Sequence, residues 1–140
     1  MTDNVSYPPI VADLLAMEIP NPLVPTTGVT EARETLEGLS HAALFEGHEV
    51  IDRDMADACL SGLWLRFDFL DRSHTISQDI HTSTGSFWHG IMHRREPDWS
   101  NSKYWFRQTG EHAIFPDLLQ AANASAAGPE LPAAAQTLLE

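Results

Sequence analysis

Apolar residues recur at helical spacing along most of this chain, and no stretch alternates apolar and polar positions long enough to read as a strand. Ile10-Val-Ala-Asp-Leu-Leu-Ala-Met17 predicts a short helix with Pro9 preset at its first position. Pro20 to Pro25 predict an extended segment lying across the body. Thr30 predicts an N-cap followed by Glu31 and Glu34, where acids suit the helix dipole, and Leu36, Leu39, Ala43 and Leu44 continue that helix to Gly47. The strongest pattern begins near Asp52: Met55, Cys59, Gly62 or Leu63, Arg66 or Phe67, and Leu70 form a stripe, with Trp64, Leu65 and Phe69 beside it. A helix apolar around so much of its circumference belongs at the centre of a bundle, and it is expected to run to Ser73.

Residues 79–96 predict a third long helix with Ile80, Phe87 or Trp88, Ile91 and Met92 on its buried face. Thr82 to Ser86 are weak helix formers, which moves its expected start toward Thr84, and Pro97 ends it. Asp98 or Ser100 then caps a short helix reaching Thr109, with Gly110 at the exit. Pro116 to Ala122 and Pro132 to Leu139 predict two more helices, separated by Gly128-Pro129. The expected fold is an all-α compact bundle of about five or six helices: residues 1–28 form a proline-rich arm packed on the body, and 29–140 form one helical domain.

Composition narrows the function classes. The chain has 140 residues, 43% hydrophobic and 20% charged, which is ordinary for one globular domain. Its net charge of −12 repels phosphate backbones, so no nucleic-acid partner is expected. The apolar runs are too short to span a bilayer, so no membrane partner is expected either. The start, MTDNVSYPP, lacks the features of a secretory signal, and the single cysteine, Cys59, cannot form an internal disulfide. A cytoplasmic protein is the expectation. The charge is uneven: residues 1–57 carry eleven acids and two bases, whereas 58–107 carry five acids, six bases and nine of the twelve aromatic residues. The middle segment therefore reads as the centre of the molecule.

Within it, His89, His93 and Glu96 lie within roughly 60° of one another around a helix. Histidines at i and i+4 project from successive turns and can chelate one divalent ion. His89 and Glu96 are about 10 Å apart along the axis, too far to share that ion. Gly90 occupies the position of the zincin glutamate, so the pair is not that motif. Asp71 or His74, in DFLDRSH, would supply missing ligands if the ends of the two long helices meet. Arg94, Asn101 and Arg107 could hold an anion, since a guanidinium forks onto carboxylate or phosphate and an amide both donates and accepts. Glu96 would then act as general base on metal-bound water.

Each feature also has a structural explanation. His93, Arg94 and Arg95 suit a helix C-terminus. Asp68, Asp71 and Glu96 do not, but pairing with Arg94 or Arg95 across two helices would account for them as an ion network. Asp98 caps, and Tyr104 and Trp105 supply core with polar handles. His81 reads as a solvated or hydrogen-bonded residue, His41, His48 and His112 as surface residues, and Cys59 as a packed thiol. STGS lacks the Gly-Lys-Ser/Thr of a phosphate loop.

The stretch FWHGIMHRREPDWSNSKYWFR, with SHTISQ before it, resembles an uncharacterised family of bacterial proteins. That family carries a similar His-Arg-Arg-Glu-x-Asp block followed by an Asn-x-Lys-Tyr-Trp-Phe segment. The likeness implies that residues 71–107 act as one unit and brings no activity with it. Two readings follow from the residues. One is a small metal-assisted hydrolase acting on a small anionic substrate, with a divalent ion (zinc, iron or manganese) on His89, His93 and Asp71 or His74, and no other cofactor. The other is a non-catalytic module for ligand binding or homo-oligomer assembly, whose polar cluster is a structural ion network.

Overall fold

The computed structural model describes residues 6–20 and 24–126, and within them every regular element is helical. The elements are α1 (Pro9–Ala16), α2 (Thr30–Glu37), α3 (His41–Leu44), α4 (Arg53–Arg66), α5 (Leu70–Ser77), α6 (Ser83–Arg95), α7 (Trp99–Thr109) and α8 (Phe115–Ala126). The chain divides into two compact units, residues 1–109 and 110–140. The second contributes α8, which carries exposed Leu118 and Leu119. The helix expected at 132–139 lies outside the described residues.

Eight helices replace the expected five or six because two of the expected helices break. The segment from Thr30 to Gly47 divides at Gly38–Ser40, where the Ser40 hydroxyl accepts from Ala43 N and starts α3 anew. The helix expected from Asp52 to Ser73 stops at Arg66. Asp68 adopts φ +64°, Asp68 N donates to Leu65 O, and Phe69 N donates to Trp64 O. That bond pair, with Phe69 set edge-on against Trp64 at 5.4 Å, is the left-handed closure that usually employs glycine. Aspartate is among the few other residues that tolerate it. The strap before α2 locks the break in place: Val29 N donates to Phe67 O, and Thr26 N to the Asp68 carboxylate. Gly28 is required there, because a Cβ would lie 2.2 Å from the Phe69 ring.

The core gathers Val11, Leu14, Leu36, Leu39, Leu44, Leu63, Trp64, Phe67 and Phe69 from α1 to α4 and the break. Met55 and Cys59, expected on the buried stripe of α4, are exposed; Ala56, Ala58, Ser61 and Leu65 are buried instead. Periodicity misjudged the facing because α4 is apolar nearly all round.

Three buried hydrogen bonds fix the helices around the polar segment. Ser61 Oγ meets Ser73 O at 3.0 Å and Ser73 Oγ at 2.9 Å, which ties α5 to α4. Ser102 Oγ donates to Gly90 O at 2.9 Å, tying α7 to α6. At Gly90 a Cβ would stand 3.3 Å from the Phe106 ring, so the missing side chain lets α7 approach. No helix among the described residues is long and apolar enough to cross a membrane.

Candidate metal centre

With Ser73 turned inward onto α4, the helical step of about 100° carries His74 toward α6. Its ring meets His89 edge-on at 4.8 Å and His93 at 5.5 Å. His89 and His93, one turn apart on α6, are both buried and place Nε2 against Nε2 at 3.1 Å. One nitrogen from each of the three rings falls within 4.8 Å of the others. Two imidazole nitrogens about 2.0–2.1 Å from a shared ion, at tetrahedral or octahedral angles, stand about 2.9–3.4 Å apart. The α6 pair already has that spacing. His74 is the least buried of the three.

The outward nitrogens are also placed. His93 Nδ1 lies 2.9 Å from Glu96 Oε2, the carboxylate–histidine contact that fixes the tautomer of a metal-ligating ring. With that proton on Nδ1, His93 Nε2 presents a lone pair. Trp105 of α7 stacks on His89 at 4.1 Å and 22°, closing the opposite wall. His89 Nδ1 is the one buried side-chain nitrogen or oxygen among the described residues that makes no hydrogen bond of regular geometry. The Ser77 carbonyl is the one neighbour that favours the protonated ring. Burial, and then the nearby His74 and His93, override it and pull the His89 pKa down to about 4. His89 is therefore neutral near pH 7, the form that binds metal.

The remaining expected residues go elsewhere. Asp71 is exposed in the first turn of α5, where an acid suits the dipole, and does not join the histidines. The break at Asp68 starts a new helix, so Asp71 sits at a helix start and only Asp68 at the end of a long one. Asp68 receives Arg95 Nε at 3.1 Å and a terminal Arg95 nitrogen at 2.7 Å. Burial alone would push its carboxyl up, but hydrogen bonds from Thr26 and Arg95 outweigh it and hold the pKa below the ordinary value. The ion network anticipated across two helices thus forms at Asp68–Arg95, apart from the imidazole cluster. Glu96 lies 2.9 Å from His93 Nδ1 through its Oε2. Arg94 is exposed and stacks on Trp99 at 4.4 Å. Asn101 is exposed, and its amide donates to Asp98 at 2.8 Å. Arg107 is exposed in the last turn of α7.

His93, Glu96 and Asp98 form a second close group of donors. Its third member is already engaged: Asp98 caps α7, accepting from Asn101 N and the Ser100 hydroxyl as well as the Asn101 amide. The Asn101 backbone and side-chain bonds hold its pKa below the ordinary value. Sequence reading missed the Trp105–His89 stack, taking Trp105 for core with a polar handle or for part of a ligand-holding segment; the spacing from Pro97 gave no phase for α7 against α6. It also missed the His41–Asp57 contact of 2.7 Å. Comparison with protein-family models, curated proteins and solved structures finds no match to this chain.

Proposed function

We propose that this protein binds one divalent first-row transition ion through His74, His89 and His93, and uses it for metal-assisted hydrolysis of a small anionic substrate. The observation that carries the reading is the meeting of three imidazoles from α5 and α6, with Glu96 on the outward nitrogen of His93. Three neutral nitrogen donors suit zinc or iron(II) better than magnesium or calcium, which take oxygen ligands. An ion held by three protein ligands keeps a position for water and lowers the pKa of that water toward neutrality. Arg94 and Arg107, both exposed, are the cations that the sequence offers for a substrate anion in an otherwise acidic chain.

Metal analysis of protein purified without chelator tests the reading. About one zinc, iron or manganese per chain is expected, lost in His93→Ala and in His74→Ala. Protein that is metal-free and stays so after zinc exposure and dialysis would overturn it. That outcome would favour the second reading, a non-catalytic ligand-binding or assembly module. The direct His89–His93 and His93–Glu96 hydrogen bonds, which need no ion, support that alternative.

A further inference from the structure

The stripe on α4 that the sequence singled out does face something. Cys59, Leu63 and Arg66, at successive turns, line a cavity of about 850 Å³. Trp88, Ile91 and Arg95 of α6, also about one turn apart, line it as well. The two histidines of α6 lie off that stripe, so the cavity is distinct from the imidazole cluster. Val11 and Leu15 of α1 and Phe45 after α3 contribute further apolar wall. The volume falls in the range of small-molecule sites, and the lining is of their usual kind, mostly apolar with a few convergent polar groups.

Each stripe ends in an arginine, and the two differ. Arg95 is closed off by Asp68. Arg66 donates from one terminal nitrogen to Leu15 O at 3.0 Å and Met17 O at 3.4 Å. Its other N–H groups have no acceptor, and its charge no carboxylate partner, among the described residues. Arg66 is exposed and lies over the Phe67 ring at 5.9 Å, so its open N–H groups, otherwise left to water, are available to an anionic group beside the apolar chamber. We infer that the cavity binds a small amphiphilic carboxylate, its apolar body between the α4 and α6 stripes and its charged end on Arg66. Because α1 and the Arg66–α1 bonds form one side of the chamber, an occupant would also fasten α1 to the body.

Dodecanoate, titrated calorimetrically below its micelle concentration into metal-stripped protein, tests this. Saturable one-to-one binding is expected, about tenfold or more weaker in Arg66→Gln. Dodecanol should bind correspondingly more weakly than dodecanoate. Cys59, the only cysteine, should react with N-ethylmaleimide more slowly when dodecanoate is present. Cys59→Trp, a substitution at an exposed position that projects bulk into the chamber, should abolish binding. Should Arg66→Gln fail to fold, Arg66→Lys keeps the charge without the fork and should bind with intermediate strength. No saturable binding, equal affinity for dodecanol, or unchanged Cys59 alkylation at saturation would each overturn the inference. The site does not depend on the metal: binding by stripped protein stands whether or not zinc is later taken up, so the two proposals fail separately.

Discussion

Asp68 and Glu96 look alike in the sequence, each an acid near the end of a helix with cations at hand, yet they anchor two different kinds of region. Asp68 is buried in a left-handed turn and held by Arg95, whose charge is permanent. Glu96 is half-exposed and held by His93, whose ring has a second nitrogen turned toward two other imidazoles. The first contact ties the α4–α5 break to α6 and has no valence to spare. The second orients a group that still has chemistry to offer. In the proposed reading, a carboxylate's partner, more than its position on a helix, separates structural from functional use.

The largest effect expected from breaking this comparison is on stability. Asp68→Ala removes a residue that tolerates the left-handed turn and leaves Arg95 without its partner, a loss of about 3 kcal/mol. Urea denaturation would measure it, and Glu96→Ala should cost less than about 1 kcal/mol in the same assay.

Acid separates the two regions next. In metal-stripped protein, folded His89 titrates at about 4, whereas an unfolded histidine titrates near 6.5. Between those values the unfolded chain binds the extra proton, so stability falls as pH falls through that window, by roughly 2–3 kcal/mol. Thermal denaturation at pH 7, 5.5 and 4.5 would follow the loss, and His89→Asn should flatten it. The Asp68 contribution persists through that range and is lost only as pH falls below the ordinary carboxylate value, through its own depressed pKa.

The smallest effect sharpens the second region alone. Glu96→Gln should weaken zinc binding about 10- to 100-fold, as loss of an orienting carboxylate does, while unfolding midpoints shift little. Competition with a chromophoric chelator would read it. Equal affinity in the variant would remove Glu96 from the site.

Much of this arrangement was legible in the sequence, for identifiable reasons. The all-helical class follows from apolar spacing, and the span of α6 from the weak helix formers around Thr82 and the stop at Pro97. The α6 histidine pair follows from i, i+4 geometry alone. The break at Asp68 was not legible, because its closure depends on an aspartate where glycine is the usual signal and on tertiary contacts from Thr26 and Val29. Without that break the phase of α5 is undetermined, which is why Asp71 and His74 could not be told apart. Ser73, buried against Ser61, accompanies the placing of His74 rather than Asp71 beside the α6 histidines. The α4 stripe was visible as a pattern, but its cavity required the placement of α1 and α6.

The central claim is that three imidazoles from α5 and α6 share one ion. X-ray absorption at the zinc edge, on protein loaded with one equivalent and dialysed, counts those ligands most directly. The account predicts three imidazole nitrogens at about 2.0–2.1 Å with one oxygen donor, falling to two nitrogens or to no retained zinc in His74→Ala. Zinc that dialyses away, or a shell made only of oxygen, would contradict it.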